Sequence, residues 1–126
     1  MNSTHHRNLY SEADQLLRAA NAEMNRAAED AVTHLICHHS RQSIINYLKG
    51  FLLGKTIKPA EPVTMASLLA QCAEVDPRFQ ELDVSHIQCR FDTHDKEYCL
   101  DMKAVEDCYK VAKKTESLVK HSLPGL

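Results

Sequence analysis

The pattern that most constrains this chain lies between residues 30 and 53. Ile44, Tyr47, Leu48, Phe51 and Leu52 follow the i, i+3, i+4, i+7, i+8 spacing of a single helical face. Upstream, Val32, Leu35, Ile36 and His39 form a first stripe, and Ser40 and Ser43 lie between the two on a similar face. Small residues there would let another helix approach closely. Asp30 is placed to cap the start through its side-chain oxygen. Gly54, with Lys55 beside it, is placed to be the C′ residue at the end. A helix of roughly 24 residues rises about 36 Å, long enough to be the backbone of a bundle.

The flanking segments repeat the same period. Leu9, Ala13, Leu16, Leu17, Ala20 and Met24 predict an amphipathic first helix from about Arg7, with Glu12, Asp14, Arg18 and Glu23 largely on its other side. Between it and the long helix only Asn21, Asn25 and Glu29-Asp30 signal a break. Residues 54–63 read as a loop, because Pro59 and Pro62 force extended backbone before them. Thr64 then caps a short third helix whose inner face is Met65, Leu68, Leu69 and Cys72. Asp76-Pro77 opens a fourth piece anchored by Phe79, Leu82 and Ile87. Residues 90–98 are polar and irregular. A last helix from about Asp101 to His121 buries Ala104, Val105, Cys108, Val111, Ala112, Thr115, Leu118 and Val119, and Pro124-Gly125 stops it.

The expected fold is therefore all-α: an up-and-down helical bundle of four to five helices with a long central second helix. Three Gly and four Pro in 126 residues fit that better than a turn-rich β fold. The expected layout is a flexible N-terminus over 1–6, the bundle over 7–122 and a tail over 123–126. A formal net charge of −2 gives no global pull on nucleic acid or anionic lipid, though a local basic patch is compatible with it. The five Cys (37, 72, 89, 99 and 108) are odd in number and contain no C-x-x-C pair, which speaks against a disulfide framework and a zinc ribbon. Buried thiols in a reducing cytosol are the plain reading. With no apolar signal core and no apolar run of membrane-spanning length, a cytoplasmic location is expected.

Several marks resemble the HEPN family. Its second helix commonly reads His-x-x-Gln-x-x-Glu-Lys-x-Leu-Lys-Ala. Here His39, Gln42, Leu48, Lys49 and the small Gly50 fall on those marks, while Ile45 and Asn46 replace the Glu-Lys. Met65, Leu68 and Leu69 match the apolar positions of the family's His-Asp-Leu-x-x-Leu-Leu, with Val63 in place of the His. Asp76-Pro77-Arg78-Phe79 is also similar, and Arg90-Phe91-Asp92 resembles the Arg-Tyr-Pro ahead of the last helix. The likeness spans roughly 7–122. It implies a bundle of about five helices, often a homodimer, binding a nucleotide or RNA or partnering a small nucleotidyltransferase as in toxin–antitoxin pairs.

Many members of that family resemble metal-independent ribonucleases with an Arg-x4–6-His motif, in which a cation holds the phosphate and an imidazole moves protons. Arg7, Arg18, Arg26, Arg41, Arg78 and Arg90 all lack a His five to seven positions on. The nearest approach is Arg90 and His94, one residue short. The expected function is thus a non-catalytic HEPN-like binding or interaction module, with a ribonuclease using Arg90 and His94 as the alternative. Arg41, Lys49 and Arg90 are the candidate phosphate contacts. Arg41 and Lys49 are eight apart and so on a similar face, although both also suit the solvent side of an amphipathic helix.

His34 and His38 have the i, i+4 spacing of metal ligands, but no acid follows at a fitting offset and the H-E-x-x-H Glu is absent. No metal and no cofactor is expected. Gly54-Lys55-Thr56 lacks the upstream Gly spacing and the strand of a phosphate loop. Tyr47, Phe51 and Leu52, with the Ser40/Ser43 notch, suit either a dimer seam or the chain's own core.

Overall fold

The computed structural model describes residues 2–25, 33–61, 63–82 and 102–121. Among them are four α-helices and one short 3-10 helix: α1 (Asn2–Met24), α2 (Thr33–Gly54), α3 (Met65–Val75), the 3-10 turn Pro77–Glu81, and α4 (Met102–His121). No strand occurs among the described residues. The expected all-α bundle with a long second helix is the observed one.

The elements begin and end for local reasons. α1 opens at Asn2 rather than near Arg7. Residues 2–6 carry no apolar side chain to show a period, and no Gly or Pro to stop the helix from extending into them. α3 opens with a capping box: the Thr64 hydroxyl accepts from the Ser67 amide, and the Ser67 hydroxyl accepts from the Thr64 amide, both at 3.0 Å. Asp76 closes α3 and caps the 3-10 turn, its carboxylate accepting from the Arg78 amide at 3.0 Å. Gln71 holds the preceding loop against α3, accepting from the Ala60 amide and donating to the Lys58 carbonyl.

The end of α2 differs from expectation. Gly54 is helical, and the left-handed residue is Thr56, with φ 64°. The Ile57 amide donates to the Leu52 carbonyl at 2.8 Å and the Thr56 amide to the Leu53 carbonyl at 3.0 Å, a Schellman closure two residues beyond the expected one. Ile57 packs against the core and so fixes where the chain must turn. A β-branched residue tolerates that conformation poorly.

The helices run alternately. Pairs Tyr10–Gly50, Asp14–Tyr47 and Glu12–Asn46 make α1 and α2 antiparallel. Pairs Asp14–Lys120 and Asn21–Tyr109 do the same for α1 and α4, while Cys37–Cys108 and Tyr47–Glu116 show α2 and α4 parallel. α2 is central, packed by α1, α3 and α4. The main core joins Tyr10, Ala13 and Leu17 to Ile44, Tyr47, Leu48, Phe51 and Leu52, then to Leu68, Cys72, Phe79, Leu82, Ala112 and Val119. The Phe51 and Phe79 rings lie 4.8 Å apart, tilted. A smaller cluster of Ala20, Ile36, Cys37 and Cys108 sits further along α2, toward its N-terminus.

The closest approach is between α1 and α2. A Cβ built on Gly50 would lie 2.6 Å from the Tyr10 ring, so only glycine fits. Ser40 and Ser43 are fully buried, on the side of α2 shared with Tyr47 and Gly50. Tyr47, Phe51 and Leu52 are buried inside this one chain. Their stripe is core, and the expected homodimer would have to use another surface.

Candidate functional site

Two polar regions flank the core. The first is a groove of about 230 Å³ between α1 and α4, with Asn21 and Tyr109 toward one end and Asp14, Glu116 and Lys120 toward the other; Leu17, Arg18 and Lys113 also line it. Beneath it lies Tyr47, wholly buried, whose hydroxyl donates to Asp14 Oδ1, one of the lining residues. Glu116 Oε2 lies 3.4 Å away on the other side. Lys120 Nζ bridges the same two acids, at 3.2 Å from Asp14 and 3.3 Å from Glu116. Lys113 adds a 3.3 Å pair to the other oxygen of Glu116. Tyr109 donates to Asn21 Oδ1 at 3.1 Å.

Two carboxylates thus meet two ammonium groups, and the phenol completes the cluster. Burial, then the hydrogen bond to Asp14 and the charges of both acids, push the Tyr47 phenol far above its usual range. It stays protonated and serves as a donor. Burial opposes the charge on Lys120, but its bonds to Asp14 and Glu116 outweigh that and raise its pKa. The two acids tie α1, α2 and α4 together. One signal of this node was legible in the residues: a Tyr in an otherwise apolar stripe needs a partner for its hydroxyl. Nothing in the periodicity said that Asp14, Lys113 and Lys120, placed on wet faces, would supply the surroundings.

The second region is the N-terminal half of α2. Arg41 is half-buried, and its Nε is buried with no hydrogen-bond acceptor among the described residues. It lies close enough to Cys37, one turn back, and to Cys108 of α4 to act on both electrostatically. His39 Nδ1, Ser40 Oγ and Ser43 Oγ are likewise buried without a partner among the described residues. His39 is two residues from Arg41, and so points to a different side of the helix. Buried polar atoms in folded proteins almost always find partners, so four on one half-helix are unusual.

The sequence-derived candidates fare as follows. Arg41 and Lys49 are both half-buried on α2, but eight residues put them about 12 Å apart along the axis. Arg90 and His94 lie outside the described residues. Ile45 packs against the core, and Asn46 reaches Glu12 of α1 at 3.5 Å, so the two residues that replace the Glu-Lys marks serve packing. His38 and His39 stack at 5.8 Å between ring centres, and no group of three metal-binding side chains occurs among the described residues. No helix among the described residues is long and apolar enough to cross a membrane. Compared with known proteins, the chain matches no family model, no curated protein and no solved structure.

Proposed function

We propose that this chain is a non-catalytic, HEPN-like binding module that takes up a phosphate-bearing ligand, a nucleotide or an RNA segment, at Arg41. The supporting observation is the buried, acceptor-less Nε of Arg41 beside the α2–α4 contact. A buried donor without an acceptor costs about 1–3 kcal/mol, and the half-buried Arg41 guanidinium has further N–H groups that a phosphate oxygen can take. Lys49, about 12 Å further along α2 by helical rise, suits a second phosphate of an extended ligand better than the same one. Arg90 is a third contact in this reading. The HEPN resemblance adds a small nucleotidyltransferase as partner in a toxin–antitoxin type pair.

The test is fluorescence anisotropy with a labelled short RNA, and calorimetry with ATP, on the wild type and Arg41→Gln. Binding by the wild type that weakens about tenfold or more in Arg41→Gln, with unchanged circular dichroism, is the expected result. No binding of either probe, or equal binding by both proteins, overturns the reading. RNA cut by the wild type, and left intact by Arg90→Ala and His94→Ala, would replace it with the ribonuclease alternative.

A further inference from the structure

Cys37 of α2 and Cys108 of α4 form the heart of the smaller cluster, each 2% exposed. They are 71 residues apart in sequence, yet the Cys108 thiol sits 3.9 Å from the Cys37 carbonyl oxygen. Their helices run parallel and meet at this point. The third described cysteine, Cys72, stands alone, its thiol 3.6 Å from the Leu48 carbonyl.

We propose that Cys37 and Cys108 are a peroxide-sensitive thiol pair that closes a reversible disulfide between α2 and α4. The proposal does not depend on the ligand reading above. Three features support it. The Cys108 thiol already lies against Cys37 within one packed, buried cluster. Arg41, one turn along, supplies a fixed positive charge beside them. Their burial favours a small oxidant over a bulky disulfide such as oxidised glutathione.

The two thiols are also unequal. The hydrogen bond from Cys108 lowers the Cys37 pKa, burial opposes this, and Arg41 adds to the lowering. Donating that same bond, together with burial, pushes Cys108 far up. Cys72 is pushed up to about 12 by burial alone. The thiolate is the nucleophile, so Cys37 attacks first and Cys108 resolves.

The chemistry balances with hydrogen peroxide as the oxidant. The Cys37 thiolate attacks one peroxide oxygen; an S–O bond forms, the O–O bond breaks, and the leaving hydroxide takes the thiol's proton to become water. The product is a sulfenic acid on Cys37. The Cys108 sulfur then attacks Cys37 Sγ; the S–S bond forms, the S–O bond breaks, and the second oxygen leaves as water with the Cys108 proton. Two thiols are oxidised and one peroxide is reduced to two waters.

The test treats the reduced full chain with hydrogen peroxide, alkylates remaining thiols under denaturing conditions, and maps the peptides by mass spectrometry. The expected product is a Cys37–Cys108 cross-linked peptide about 2 Da lighter than the sum of its thiol halves, and dithiothreitol reverses it. Cys37→Ser and Cys108→Ser should each abolish it, and Cys72→Ser should leave it unchanged. A dominant cross-link through Cys72, Cys89 or Cys99, a sulfinic acid at Cys37 as the main product, or no loss of thiols overturns the proposal. If either serine variant fails to fold, the wild-type peptide map decides alone.

Discussion

The two halves of α2 are built to different standards. From Ile44 to Leu52 the inward residues are large, apolar and closely packed, and Tyr47, the polar one among them, has its hydroxyl bonded. From Ile36 to Ser43, apart from Ile36 itself, the buried residues are small or polar, and several buried polar atoms are unpaired among the described residues. Burial alone therefore does not distinguish structural from chemical roles; satisfaction of the buried polar atoms does. One half spends its sequence on packing, while the other leaves donors and thiols unused by the fold.

That contrast can be broken by substitution. The largest loss is expected from Phe51→Ala in the packed half. It removes a side chain 1% exposed and leaves the Phe79 ring facing a cavity, at a cost of about 3–5 kcal/mol in a urea melt. Gly50→Ala comes next. Alanine favours a helix interior by about 1 kcal/mol, yet the added methyl meets the Tyr10 ring at 2.6 Å, and overpacking of this kind costs roughly 1–3 kcal/mol, a net loss of up to about 2 kcal/mol. A melt showing Gly50→Ala more stable than wild type would mean the seam yields easily. In the other half the sign reverses. Ser40→Ala and Ser43→Ala should each be neutral or stabilising by up to about 1 kcal/mol, because each removes an orphaned hydroxyl without opening the seam. A loss above about 1 kcal/mol in either would show that the hydroxyl has a partner, and the distinction between the halves would blur.

The fold was largely legible because periodicity reports burial. The Ile44–Leu52 stripe, the Cys108–Val119 stripe and the Leu68/Cys72 face all point inward as the spacing requires. Phe79 and Leu82 anchor the fourth piece as the Asp-Pro signal suggested. The end of α2 was not legible, because composition favours Gly54 whereas the docking of Ile57 sets the turn at Thr56. The candidate site was legible only as a list of cations. Sequence placed Arg41 and Lys49 on one helix, but it could not show that an α2–α4 contact excludes water from Arg41 Nε, or that Cys37 would find Cys108 71 residues away. Such pairings depend on tertiary approach, which local spacing does not encode. For the same reason Glu116 and Lys120 gave no warning that they would close over Tyr47.

The Tyr47 node has a consequence for how the molecule comes apart. Its partners lie 33 and 69 residues away, on α1 and on α4, and Lys120 ties those two acids to each other. Withdrawing α1 or α4 removes one of the phenol's two acceptors and one arm of the Lys120 bridge, so the node is complete only when all three helices are docked. The expected result is that α1, α2 and α4 exchange their central amide hydrogens as one cooperative unit rather than in sequence order, which native-state hydrogen exchange checks.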